Sequence, residues 1–119
     1  IMKKHVTWTV QGQIKEGKYD EFLLVMAQLV TLAKSEAGTL MYEWAVSEDK
    51  RKVHIYERYQ DEDAAKAHLA GWGESGPLFL SVVDMDKVTV FSQLSEEFAQ
   101  AFAGPSSVFM KPVGGLVKF

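Results

Sequence analysis

The segment YERYQDEDAAKAHLAGW, residues 56–72, carries the side chains best suited to chemistry. Glu57 and Tyr59 alternate on a run of strand character. His68 and Trp72 lie four apart on the alanine-rich run that follows. An imidazole with a pKa near ~6.5 can take a proton from a phenol at neutral pH, and a carboxylate can steady it. His68 is therefore a candidate general base, or a hydrogen-bond partner for a substrate hydroxyl, and Glu57 a candidate orienting group. The competing reading is packing: a buried histidine satisfied by Glu57 or Tyr42, and a Glu57 carboxylate held by Tyr42 or a backbone N–H. Trp8, Tyr42, Trp44, Tyr59, Trp72 and Phe79 offer aromatic surface. Two or three of them are expected to line a cavity and the rest to pack.

Other chemistries are excluded. The chain has no cysteine, which removes disulfides, thiolate catalysis and cysteine-based zinc sites. His54 and His68 fall on opposite sides of the expected sheet, so no histidine and carboxylate spacing suggests a metal site. GWGESGP has three glycines but neither a following lysine nor a preceding strand, so it is not a phosphate loop. It reads as a break, and as a candidate mobile gate beside Trp72. The net charge is −3 and the longest basic run is Lys50 to Lys52, which argues against nucleic acid as a partner. No apolar run reaches the ~18 residues of a membrane span. The start of the chain lacks a signal-peptide pattern, so a cytoplasmic protein is expected, with Ile1 an addition ahead of Met2.

These residues must be positioned by a single domain over 1–119, since 119 residues with 47 % apolar and 24 % charged content are ordinary for one globular unit. The β-branched, alternating run 5–14 predicts a strand. KEGKYDEF opens a helix of about 20 residues, with Tyr19, Phe22, Leu23, Met26, Leu29, Val30 and Ala33 on one face and Gly38 at its end. Residues 39–47 and 52–59 form a hairpin about a polar turn. Asp61 caps a second helix ending near Gly71, and Pro77 opens a short one, PLFLSVV. Residues 87–94 make a fourth strand, and Ser95 caps a helix over 95–103. The apolar, Pro- and Gly-broken tail is expected to dock on something. The order β-α-β-β-α-β is a ferredoxin-like α+β unit: an antiparallel sheet with helices on one face, a core at about 5–94, and an extra C-terminal helix and tail at 95–119.

A four-residue turn at Glu48–Arg51 pairs Val46 with Val53, Trp44 with Ile55, Tyr42 with Glu57 and Leu40 with Tyr59. That set, with Val6, Trp8 and Val10, is the face toward the helices. Ala64, Ala65, His68, Leu69 and Trp72 are the inner positions of the second helix. Its alanines leave room, so aromatics, one histidine and one carboxylate gather around space for a ligand. The opposite face carries Thr7, Thr9, Gln11, Met41, Glu43, Ala45, His54, Tyr56 and Arg58. It is neither plainly polar nor plainly apolar, which suits a homodimer through sheet-to-sheet packing by Met41, Glu43, His54, Tyr56 and Arg58.

EAGTLMYEW followed by VHIYERYQDEDAAKAHL resembles the antibiotic biosynthesis monooxygenase family of dimeric α/β barrels. The pattern is a glycine after the first helix, a Y strand, E-x-[YW] and A-x-x-x-H, met here by Gly38, Tyr42, Glu57, Tyr59, Ala64 and His68. The likeness covers about residues 5–94, and the tail, with GP at 104–105 and P-x-G-G at 112–115, resembles a longer subgroup. The resemblance implies oxidation of small hydroxyaromatics or quinols, in several members with neither metal nor flavin; other members degrade haem or process a signal molecule. This sequence has no asparagine. The haem-degrading branch uses one where Val10 stands and a tryptophan where Tyr59 stands, and the polyketide oxygenases use one in the pocket. Haem breakdown is thereby disfavoured. The expected function is a monooxygenase using O2 and no cofactor on a small aromatic substrate, with His68 and Glu57 catalytic. Two alternatives share the fold: a dimeric barrel that binds an apolar ligand without turnover, and an isomerase needing the same base but no oxygen.

Overall fold

The structure, a computed structural model, describes residues 4–118, so Ile1 lies outside it. Strand β1 (Val6–Ile14) leads through a turn at Gly17, φ +76°, into helix α1 (Tyr19–Lys34). Strands β2 (Thr39–Val46) and β3 (Lys52–Tyr59) form the hairpin, and helices α2 (Glu62–Ala70) and α3 (Trp72–Leu80) precede β4 (Val83–Val90). Helix α4 (Glu96–Ala99) runs on into a 3-10 turn, and the short strand β5 (Ser107–Phe109) closes the chain's regular structure. The sheet order is β2-β3-β1-β4-β5, antiparallel except for the parallel β4–β5 pair. The ferredoxin-like α+β arrangement expected from the sequence is present, with one strand added at the β4 edge.

The helix-facing side of the sheet is the core. Val6, Trp8, Val10, Val53, Ile55 and Tyr59 are buried there against Phe22, Val25 and Leu29 of α1. Val25 replaces Leu23 in the expected α1 face, because the inward stripe runs 22-25-29-33 and leaves Leu23 on its rim. The predicted hairpin register holds for Val46–Val53, Trp44–Ile55 and Tyr42–Glu57. It fails at Leu40. A bulge makes Leu40 an extra residue, so that Thr39 faces Tyr59 and Leu40 points out, half exposed. A second bulge puts Lys87 opposite Gln11 and Met85 opposite Gly12, skipping Asp86. Met85 and Val88 can thereby both face the helices despite their odd spacing.

The glycine-rich stretch at 71–76 is not a loop. Gly71 adopts right-handed helical angles, φ −80° and ψ −7°, and serves as the end of α2 and the start of α3. The break is a bend between two helices rather than a loop, and Pro77 lies inside α3 rather than in its first turn. Because α3 starts early, the chain enters the sheet early. Val82 and Val83, expected in a helix, are buried at the head of β4, and the strand ends at Val90 rather than at Leu94. Past that end the Ser92 hydroxyl accepts the Thr7 N–H at 2.9 Å, standing in for a ladder bond. Gly38 does not end α1, which stops at Lys34. A Cβ on Gly38 would lie 2.4 Å from the Ala64 Cβ, so this glycine lets the start of β2 lie directly against α2.

Candidate functional site

Only two residues separate the end of β3 from the start of helix α2. Asp61 caps it, its side chain accepting the Ala64 N–H at 2.9 Å. This short, pinned connection and the Gly38–Ala64 contact fix the rotation of α2 over the sheet. Ala65 is buried, and Ala64, His68 and Leu69 are turned partly inward, on the face expected for them.

His68 reaches two carboxylates. Its Nδ1 lies 2.8 Å from Glu36 Oε1 and its Nε2 lies 3.3 Å from Glu57 Oε1. Both carboxylates receive further donors: the Thr39 hydroxyl gives its hydrogen to Glu36 at 2.8 Å, and the Tyr59 hydroxyl to Glu57 at 2.5 Å. The imidazole sits among rings, its centroid 5.0 Å from Tyr59, 5.2 Å from Tyr42 and 6.4 Å from Trp8. The expected contact of His68 with Glu57 is thus present. Glu36 is the partner that sequence reasoning missed. It stands in the EAG turn just ahead of Gly38, which lies against Ala64 of α2, and nothing in the sequence announces that approach.

The electrostatics follow from burial and these contacts. Burial alone would lower the His68 pKa. The hydrogen bond and charge of Glu57, followed by those of Glu36, outweigh it, and the net shift is upward from 6.5. Tyr42 and Tyr59 are pushed far above the ordinary phenol range, first by burial and then by the negative charge of Glu57. Both therefore remain hydrogen donors at any physiological pH. Glu36 and Glu57 lie at opposite ring nitrogens and do not converge on a common point. Among the described residues no group of three such side chains could hold a metal ion.

A cavity of about 480 Å³ opens beside this cluster. Trp8, Tyr42, Glu57, His68, Trp72 and Phe79 all line it. Trp44 and Tyr59, expected as substrate contacts, stand behind its wall. Tyr59 is fully buried, tilted against Trp8 at 4.7 Å, and Trp44 packs edge-on to Tyr42 and Phe79 at 5.8 and 5.6 Å. The far wall comes from the chain's own C-terminal segment, from Ala101 to Ser107. Ser95 caps the short helix leading into it by accepting the Phe98 N–H at 3.2 Å, and Phe98 and Phe102 anchor it in the core. Residues 104–118, expected to dock on something, do so through β5, beyond which the tail is exposed.

No helix among the described residues is long and apolar enough to cross a membrane. Comparison with solved structures gives close agreement in fold. The crystal structure of MupZ from Pseudomonas fluorescens matches with a TM-score of 0.80 at 17 % identity, covering 98 % of this chain and 96 % of that one. SnoaB, a cofactor-independent oxygenase from Streptomyces nogalater, matches with a TM-score of 0.65 at 17 % identity, covering 76 % and 94 %. Protein SO0527 from Shewanella oneidensis matches with a TM-score of 0.63 at 25 % identity, covering 76 % and 92 %. A search of curated proteins finds no match. The antibiotic biosynthesis monooxygenase family model matches residues 6–72, from β1 through the His68 helix to Trp72, and so takes in Glu36, Tyr42, Glu57 and His68 together. With more than half its length matched, including the whole polar cluster, the chain belongs to the antibiotic biosynthesis monooxygenase family.

Proposed function

We propose that this protein is a cofactor-independent monooxygenase that oxidises a small hydroxyaromatic or quinol with O2, and that His68 is its base. The observation that carries this is the setting of one imidazole at the polar end of an otherwise apolar, aromatic-lined cavity, with Nδ1 anchored on Glu36. A carboxylate can only accept, so the 2.8 Å contact favours a hydrogen on Nδ1, and in this reading Nε2 is the nitrogen that takes the proton. Its contact to Glu57 is longer, at 3.3 Å, and Glu57 lies in the cavity wall. A substrate hydroxyl entering there meets Nε2 and Glu57 together. Two adjacent negative charges stabilise the imidazolium that proton transfer creates.

In this reading neutral His68 takes the phenolic proton. The aromatic anion passes one electron to O2, giving a substrate radical and superoxide, which combine at a ring carbon. The resulting peroxide takes up a proton and, where that carbon carries a hydrogen, loses water to leave a carbonyl. One O2 supplies both the new carbonyl oxygen and the oxygen of the water. The protein contributes proton transfer, orientation and a dry aromatic enclosure. The relatedness of fold to a cofactor-independent oxygenase supports the reading.

The test is oxygen uptake by purified, metal-stripped protein against anthrones and quinols, with spontaneous oxidation subtracted. Saturable uptake lost in His68→Ala is expected, and uptake unchanged in that variant would sink the role given to His68. A second reading, ligand binding without turnover, has one observation in its favour. Both nitrogens of His68 already face carboxylates, and its raised pKa favours the charged form. Thermal stabilisation by the same compounds with no uptake would select it.

We further propose that the protein is a homodimer joined through the open sheet face. Arg58, Tyr56 and His54 alternate there opposite Met41, Glu43 and Ala45, and Tyr56 is 41 % exposed. An exposed tyrosine flanked by half-buried His54 and Arg58 fits an interface better than a solvated surface.

A further inference from the structure

The polar end of the cavity is one-sided in a way that bears on which ligands can enter. Each side-chain hydrogen placed there is already directed at a carboxylate. Tyr59 gives its hydroxyl hydrogen to Glu57, Thr39 gives its to Glu36, and the two nitrogens of His68 face one carboxylate each. What remains is acceptor capacity. Glu57 Oε1 takes both contacts, and Oε2 makes no hydrogen bond among the described residues. Among the described residues no lysine or arginine lines the cavity, and the groups in its wall that carry charge are Glu57 and His68, with Glu36 behind the imidazole. Even with His68 charged, two carboxylates and one imidazolium leave the end negative. The other side-chain donors among the lining residues are the Tyr42 hydroxyl, on the residue directly opposite Glu57 across the β2–β3 ladder, the indoles of Trp8 and Trp72, and the hydroxyls of Ser106 and Ser107.

We propose that this end of the cavity selects an uncharged aromatic by a hydroxyl that donates into the Glu57–His68 pair and accepts from Tyr42, and excludes aromatics of the same size that carry a carboxylate or phosphate. A hydroxyl offers one hydrogen and two lone pairs, which matches a carboxylate beside a phenol. An anionic head could accept from Tyr42 but would bring its charge against Glu57, and the one imidazole beside it is already shared by two carboxylates. The rest of the wall is mostly apolar and aromatic and, among the described residues, uncharged, so the ligand body, common to both heads, contributes no discrimination between them. The proposal takes the cavity as the substrate site, as above, but concerns binding alone and does not depend on turnover.

The experiment is isothermal titration of the full chain at neutral pH with three ligands of one body: 1-naphthol, 1-naphthoate and naphthalene. Naphthol is expected to bind at least about tenfold more tightly than naphthoate, and more tightly than naphthalene. In Glu57→Gln, which keeps the shape and can still accept from Tyr59, the naphthol-to-naphthoate ratio is expected to collapse. Thermal unfolding of the variant would confirm that it is folded. Naphthoate binding as tightly as naphthol, or a ratio unmoved by Glu57→Gln in folded protein, would overturn the proposal. Naphthol no better than naphthalene would overturn the donor part of it while leaving an apolar cavity. If the preference is found and oxygen uptake is absent for every substrate, the oxygenase reading fails and this one stands.

Discussion

At the scale of residues, the site turns on a histidine between two acids. His68 is the residue the sequence made conspicuous, and Glu57 was placed beside it by strand parity alone. Glu36 was not legible, because its approach depends on how closely the 35–38 turn passes α2, which the absence of a Cβ at Gly38 allows against Ala64. The upward pKa of His68 has two measurable consequences. If neutral His68 is the base, the turnover rate should rise with pH and level off above a midpoint higher than 6.5. Glu36→Gln removes one negative neighbour, so the midpoint of the pH–rate profile should move down while the cavity still binds ligand. The second consequence concerns folding. A histidine whose pKa is higher in the folded state adds stability that is complete below the unfolded value and is lost as pH rises through the folded one. The melting temperature should therefore decline from about pH 6.5 upward, and the decline should be shallower in His68→Gln. A parallel decline in both proteins would mean that other groups cause it.

At the scale of elements, the strands were readable because alternation and β-branching are strong local signals. The register was readable down to Tyr42–Glu57 because the turn fixes it. It failed at Leu40, where an exposed leucine sits on a bulge that no local pattern announces. The larger error was at 71–83. Three glycines suggested a loop, yet one of them is there for packing. A Cβ on Gly76 would lie 2.8 Å from the Trp72 ring, so the indole lies flat against the Gly76 backbone one turn away in α3. Gly76→Ala should push the Trp72 ring off this seat. The clash is with the end of a mobile side chain, so the stability change should be small while ligand affinity changes, which calorimetry on the same three ligands would register. Gly38→Ala is the contrasting case. Its clash is with the Ala64 Cβ on a helix that cannot swing away, and a loss of about 1–3 kcal/mol is expected in denaturant unfolding. A loss as small as that of Gly76→Ala would mean that α2 is not pressed against β2 as described.

At the scale of the whole molecule, the sheet has helices on one side, and among the described residues its other face leaves Glu43 and Tyr56 exposed. An interface built there should be sensitive to charge at its centre. Tyr56→Asp should shift sedimentation from dimer toward monomer without loss of secondary structure, and a wild-type protein that sediments as a monomer would remove the proposed dimer altogether. The cavity wall from Ala101 to Ser107 was the other feature outside the reach of sequence. A tail broken by proline and glycine gives no periodic signal, and its place is set by β5 pairing in parallel with β4 and by Phe102 in the core. The groups that handle a proton lie between Glu36 and His68, whereas the surface that shapes what enters is completed more than thirty residues later by a strap held through one short strand. Reactivity and selectivity are thus written in separate stretches of the chain. Changes of length or sequence in the strap could retune the range of accepted molecules over evolutionary time, or by deliberate grafting, while leaving the acid–base cluster untouched.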